Sequence, residues 1–213
     1  MGFKKRFSER IDSQHGKPKG FLGLYIGEKM VRQHRPETCW TLKLLNPQQN
    51  DRVLELGCGA GYAMKQLLKK SIVEQVVGLD LSQTVLQSAK MRNRKEINKG
   101  RAKLVQGHVN QLAFQDGSFT KVFSIHSVYF WNDLSAPLSE IYRVLMPGGK
   151  IIVVFCNGKN GEAWNGIEQK MLPMLKLTGF KNVELLKGPD SREFHTVAVI
   201  GEKEKCLRFE IDN

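Results

Sequence analysis

The sequence predicts an open α/β domain, a mostly parallel sheet with helices on both faces, and three stretches carry that expectation. The first is Arg52 to Tyr62, RVLELGCGAGY, where a buried strand over Val53 to Leu56 runs straight into glycines at alternate positions, Gly57, Gly59 and Gly61. Ala60, Met64, Leu67 and Leu68 then recur at helical spacing. The glycines therefore join a strand to a helix start, the place where open α/β sheets hold nucleotide-like ligands. The second stretch is Gln75 to Leu79, another apolar strand, which ends in Asp80. The third is Arg143 to Phe155, RVLMPGGKIIVVF, whose closing run is continuously apolar and so needs both sheet faces covered, as in a parallel sheet.

A chain of 213 residues with 41% hydrophobic residues suits one such domain with a short extension. The division expected is a basic arm and helical cap over 1–46 and the main domain over 47–213. No apolar run approaches the roughly 18 residues of a membrane span. The start, MGFKKRFSER, has basic residues without the apolar stretch of a signal peptide, so a cytoplasmic protein is expected. Cys39, Cys58, Cys156 and Cys206 are scattered without paired spacing, which indicates neither a disulfide framework nor a zinc site, and no metal is expected. The formal net charge of +12 gathers in the arm and in Lys90 to Lys103, which includes Arg92, Arg94, Lys95, Lys99 and Arg101. Without interleaved aromatics that second cluster reads as a solvated helix face, and nucleic acid is the less favoured partner.

In chain order, the arm runs to about Lys19, and Gly20, Gly23 and Gly27 then punctuate FLGLYIG. Glu28 to Leu45 has helical character, with Pro36 forcing a break or a new start and Cys39, Leu42 and Leu45 at spacing three. After Asp80, Ser82 is placed to cap a helix carrying Val85, Leu86 and Ala89. Lys103 to Gln106 reads as a third strand, and Phe119 with Val122 to Ile125 as a fourth that leads into HSVYFW. Asp133 caps a helix whose Leu134, Leu138, Ile141, Tyr142 and Leu145 recur at spacings of three and four. Trp164, Ile167, Met171 and Leu175 mark a last helix stopped near Gly179, before strands at Val183 to Leu186 and Thr196 to Ile200.

The glycine loop also indicates the ligand's charge. A pyrophosphate site would read GxGxxG, whereas this chain has GxGxG. Glu55, two residues before Gly57, would repel a phosphate but attract an ammonium or sulfonium. Val53 to Gly61 resembles the first motif of the class I S-adenosylmethionine-dependent methyltransferases, [VL]-L-[DE]-[LIV]-G-C-G-x-G, and the PGG turn at Pro147 to Gly149 resembles a second signature of that family. The likeness extends from about Pro47 to Glu202.

That resemblance implies a Rossmann-like seven-stranded, mostly parallel sheet with an antiparallel C-terminal hairpin, and S-adenosyl-L-methionine as cofactor. It places Glu55, Gly57, Cys58, Gly59 and Gly61 around the cofactor, and Asp80 with the neighbouring Leu81 at the ribose. Where such enzymes commonly carry an aspartate for the adenine amino group this chain has His108, whose neutral ring can accept one hydrogen bond, beside the backbone amide of Val109. Ser124 and Ile125 are placed to offer backbone carbonyls to the methionine part. His126 and Tyr129 are the candidates for the substrate side and for taking a proton. Tyr25 is a candidate for closing the pocket, or simply for packing. The function implied is methyl transfer to a small-molecule acceptor by in-line displacement. The alternatives are a noncatalytic or RNA-directed protein on the same fold and, more remotely, an NAD-dependent oxidoreductase.

Overall fold

The computed structural model describes residues 31, 34–70, 72–158, 166–190 and 194–205. Among them the chain runs through α1 (Arg35–Leu45), β1 (Arg52–Leu56), α2 (Tyr62–Lys70), β2 (Gln75–Asp80), α3 (Gln83–Asn98), β3 (Ala102–Gln106) and β4 (Phe119–Ile125). A single 3-10 turn (Val128–Phe130), α4 (Ser135–Val144), β5 (Leu145–Gly158), α5 (Ile167–Thr178), β6 (Lys181–Lys187) and β7 (Phe194–Glu202) follow. The strands form one seven-stranded sheet in the order β3-β2-β1-β4-β5-β7-β6. β3 through β5 are parallel, and β7 lies antiparallel between β5 and β6. The chain steps outward from β1 to β3 and then restarts beside β1 with β4. The loops after β1 and β4 consequently leave the sheet in opposite directions and open a crevice at its carboxyl edge, the general ligand position of such sheets.

Period-two alternation along the buried strands divides the core in two. Val53, Val76, Phe123, Ile152 and Val154 pack with Leu42 and Leu45 of α1 and Met64 and Leu67 of α2. Leu54, Leu56, Val77, Val122 and Val153 pack on the other face with Leu138 and Ile141 of α4 and Met171 and Leu175 of α5. Burial of each such large side chain contributes about 1.5–3 kcal/mol, which fixes the helices to the sheet more firmly than their local propensities do.

Pro36 stands in the first turn of α1, where its missing N–H costs nothing, so it starts this helix. The stripe expected through Cys39 is shifted: Cys39 is exposed, and the buried face is Thr38, Thr41, Leu42 and Leu45. Those threonines tolerate burial because Thr38 Oγ1 donates to the His34 carbonyl and Thr41 Oγ1 to the Glu37 carbonyl, both at 2.7 Å. Asp133 accepts the Ala136 N–H at 3.3 Å and so serves the start of α4 as expected. At the end of α5, Gly179 adopts φ 105°, and the Phe180 N–H reaches back to the Leu175 carbonyl at 3.0 Å to close the helix. The PGG turn lies inside β5: pairing with β4 begins at Leu145 and resumes at Lys150, so Met146 to Gly149 bulge out of the ladder.

The basic cluster on α3 is only partly a solvated face. Lys90, Arg94 and Lys95 are exposed. Arg92 donates to the Ala60 carbonyl at 2.5 Å, and Arg101 pairs with Glu96 at 3.0 Å and donates to the Val73 carbonyl at 3.3 Å. Two of the arginines are thus structural ties. The arm, Tyr25, Gly27, Trp164 and Cys206 lie outside the described residues. Among the described residues no helix is long and apolar enough to cross a membrane.

Candidate functional site

A cavity of about 210 Å³ sits at the carboxyl edge of β1, β2 and β4, at the point where the strand order reverses. It gathers Glu55, Gly57, Cys58, Gly59, Asp80, Leu81, His108, Val109, Ile125 and His126 of the residues expected there. Gly61, Ser124 and Tyr129 are absent from its lining.

The three glycines of the loop have three different reasons to be glycine. All have positive φ, 70°, 51° and 71° for Gly57, Gly59 and Gly61. A Cβ on Gly57 would run into Ser127, the residue that returns after β4 and donates its hydroxyl to the Leu56 carbonyl at 3.1 Å. A Cβ on Gly61 would stand 2.8 Å from the Ala89 Cβ and 2.6 Å from Asn93 Nδ2, so this glycine admits α3. The expectation that Gly61 faces the ligand is therefore corrected: it seats a helix. Of the three, only Gly59 has a Cβ position with no neighbour within 4 Å among the described residues. Gly59 is the position where the loop exposes bare backbone to the cavity.

The loop is held from below by backbone groups and from the side by α3. Gly57 and Cys58 donate to the Leu79 carbonyl at 2.8 and 3.0 Å. Buried Asn93 donates to the Gly61 carbonyl at 2.9 Å, beside the Arg92 bond to Ala60. Asp80 accepts the Gly59 N–H on Oδ2 at 2.8 Å and the Ser82 N–H on Oδ1 at 2.9 Å. Each carboxylate oxygen has a second lone pair, so Asp80 can still accept hydroxyl donors from the cavity. Burial raises its carboxyl above the usual value, opposed by these N–H donors.

Glu55 lies 4% exposed on the cavity floor. Burial drives its carboxyl well above the usual range; the Met64 N–H, in the first turn of α2, opposes this, and nearby Asp80 adds to it. Its Oε2 is buried without a partner among the described residues. Burial favours the protonated form of such a carboxyl, and a cation beside it would favour the ionised one. Because the folded state binds that proton more tightly than the unfolded chain, ligand-free protein should lose stability as pH rises from the ordinary carboxylate range, near 4.3, through the raised value. Glu55→Gln should flatten this slope in thermal melts from pH 5 to 8, while weakening a cationic ligand. A slope identical in the two proteins would mean that Glu55 is ionised without any ligand.

His108 is exposed on the cavity wall, and its Nδ1 accepts the Asn110 N–H at 3.2 Å. That bond uses the acceptor nitrogen expected to face the ligand. A neutral ring then carries its proton on Nε2, so the free nitrogen is a donor, a correction that follows from the tight turn after β3. Val109 and Leu81 supply apolar walls nearby. The loop bearing His108 and Val109 is pinned from α4: Arg143 donates to the Leu112 and Phe114 carbonyls, each at 2.8 Å, and Glu140 accepts the Leu112 N–H at 2.7 Å.

Ser124 is fully buried in β4 and shares a hydrogen bond with Ser127. Its side chain supports the turn, and the cavity is reached instead by Ile125, His126 and Ser127. His126 adopts φ 57°, rare for a residue with a side chain and found where the surroundings hold it in place. Its Nδ1 lies 3.3 Å from Tyr129 Oη, which accepts the Cys156 N–H at 2.6 Å. Burial first, and His34 second, push the His126 imidazole down to about 3. Burial pushes the Tyr129 phenol well above its usual value. Tyr129 is thus no base and does not face the cavity; it stands behind His126 and orients it.

His34, at the start of α1, was not singled out by the sequence, yet it lines the cavity with its ring 4.2 Å from that of His126. The same is true of Ser127 and Thr38. The signal for His34 was its spacing of three from Glu37 across Pro36, which puts two polar side chains on one face of a helix start.

Residues 54–153 match the family described as methyltransferase domain. Uncharacterized methyltransferase YdaC of Bacillus subtilis is 28% identical over 165 residues, 76% of this chain and 89% of its own length. Demethylmenaquinone methyltransferase of Leptospira interrogans is 33% identical over 179 residues, 76% of this chain and 69% of its own. Among solved structures, phosphoethanolamine N-methyltransferase 2 of Haemonchus contortus in complex with S-adenosyl-L-methionine superposes with a TM-score of 0.67 at 19% identity, over 79% of this chain and 52% of that one.

Proposed function

The chain belongs to the methyltransferase domain family, and from that membership we propose that this S-adenosylmethionine-dependent enzyme methylates a small, largely apolar molecule. The observation that carries the reading is the buried, unpartnered oxygen of Glu55 beneath the open backbone at Gly59. The residues fit the cofactor. Glu55 supplies the negative charge that its cationic methionine part needs, Gly59 the room for close approach, and Asp80 the acceptor for a ribose diol. Val109 and Leu81 offer apolar faces to a flat base, with His108 Nε2–H as a donor at its edge. When bound, the cofactor supplies an electrophilic methyl group on a sulfonium.

The protein's own contribution is placement and exclusion of water. Ile125, Phe130 and Trp131 give the remaining wall an apolar character that suits a ring or chain better than a phosphorylated amine. The Leptospira relative, named for demethylmenaquinone, has an acceptor of that kind. His126 is too weak a base at neutral pH to deprotonate a poor acid, so the acceptor must be readily ionised or lose its proton to solvent.

Native mass spectrometry of the purified protein, followed by transfer of isotope-labelled methyl from the cofactor to a panel of quinols, phenols and amines, tests this. Cofactor binding with label appearing in an apolar hydroxyl or ring acceptor is the expected result. A folded protein that binds no S-adenosylmethionine or S-adenosylhomocysteine, or that labels only phosphorylated amines, would overturn it.

A further inference from the structure

We propose that His34, Glu37 and His126 hold a divalent first-row transition-metal ion at the edge of the cavity, with at least one coordination position open toward it. One potential ligand atom from each of these residues lies within 4.8 Å of the other two. Each residue also carries a buried nitrogen or oxygen without a hydrogen-bond partner among the described residues: His34 Nδ1, Glu37 Oε2 and His126 Nε2. Three neighbouring residues each holding such an atom is costly, because each unpaired polar group forfeits its hydration with no return. A cation satisfies all three at once.

The chemistry of the set is selective. Two imidazoles and one carboxylate suit zinc, iron or cobalt in the divalent state, whereas magnesium and calcium ask for oxygen ligands. Tetrahedral ligands about 2.1 Å from a metal stand about 3.4 Å apart, so modest side-chain closure completes the site. The surroundings already orient its parts. His34 and Glu37 are three residues apart at the start of α1, whose Glu37 is 8% exposed and fixed within the first turn. His126 is set by its left-handed backbone, and its Nδ1 faces Tyr129 Oη, which leaves Nε2 as the coordinating nitrogen.

His34 and His126 both line the cofactor cavity, so the open position faces the place where an acceptor would lie. An ion there takes an acceptor's hydroxyl oxygen as a ligand. The O–H bond then breaks with its electron pair left on oxygen and its proton passed to water. This role rests on the methyl-transfer reading; the binding of the ion does not.

The test is titration of the purified, untagged protein with Co2+ after chelation, followed by the visible ligand-field bands of the bound ion and by Zn2+ competition. One equivalent should bind with a four- or five-coordinate spectrum. Glu37→Gln and His126→Asn, the latter chosen because Asn tolerates positive φ, should each abolish saturable binding while retaining the wild-type circular dichroism. Tyr129→Phe should weaken binding roughly 10–100-fold and shift the bands, as loss of an orienting partner does. His195→Ala, an exposed histidine paired with Asp190, should change nothing. Binding equal in wild type and both ligand variants, an intense thiolate band, or no bound Co2+ would each overturn the proposal. Calorimetry with S-adenosylhomocysteine runs alongside. Cofactor binding without metal refutes only the ion site, and metal binding without cofactor refutes only the methyl-transfer reading.

Discussion

Gly59→Val is expected to remove S-adenosylmethionine binding, lowering affinity by about 100-fold or more, equivalent to about 2.7 kcal/mol. The argument is steric and local. At φ 51° Gly59 presents its bare backbone to the cavity, and the place of its Cβ has no neighbour within 4 Å among the described residues. A valine there meets no protein atom at its Cβ; its branches enter the volume left for ligand. Positive φ costs a residue with a Cβ roughly 1–2 kcal/mol, and more for a β-branched one, so some loss of stability accompanies the change. Gly59→Ala separates the two effects, since it carries most of the backbone cost with less intrusion. Calorimetry on each variant, with circular dichroism and a thermal melt as controls, should show affinity falling from glycine to alanine to valine. A folded Gly59→Val protein that binds the cofactor as tightly as wild type would remove the glycine loop from the binding site.

The sheet was legible because its information is local. Strands β1, β2 and β4 carry short apolar runs, and β5 carries the continuously apolar run Ile151 to Phe155, covered on both faces, so each shows its burial in its own residues. Asp80 and Glu55 were legible for a related reason: a carboxylate at the end of a buried strand has few purposes there other than a ligand or a helix start, and Glu55 meets the Met64 N–H in the first turn of α2. What the sequence hid is long-range approach. Nothing near Gly61 announces that Ala89 and Asn93 press against it from the next helix, or that Arg92 spends its charge on the Ala60 carbonyl. Tyr129 looked like a site residue because it follows β4, but the single 3-10 turn carries its hydroxyl onto the Cys156 backbone and leaves His126 in front. His108 kept its place while its free nitrogen changed role, because the Asn110 N–H selects the tautomer. Glu37 escaped notice since its neighbour in the fold, His126, is distant in sequence and comes near it only when α1 packs against β4.

Gly61→Val should behave in the opposite sense to Gly59→Val, with a large loss of stability and a smaller loss of affinity per folded molecule. A Cβ at Gly61 would stand 2.8 Å from the Ala89 Cβ and 3.1 Å from the Ala89 Cα, a backbone atom that cannot rotate away. α3 must shift, and with it go the Asn93 bond to the Gly61 carbonyl and the Arg92 bond to the Ala60 carbonyl. Overpacking and the strained φ of 71° together cost about 3–5 kcal/mol, which in a domain of this size lowers the melting temperature by about 10 °C. Ala89→Gly in the same chain removes the nearest carbon and should return part of that loss, a recovery that general disruption of the loop would not give. Affinity measured on the folded fraction should fall less than in Gly59→Val, because Gly59 and its bond to Asp80 are left in place. If Gly61→Val melts with wild type, α3 does not seat on the glycine loop. If it binds ligand no better than Gly59→Val, the two glycines share one role, and the division of labour along the loop is wrong.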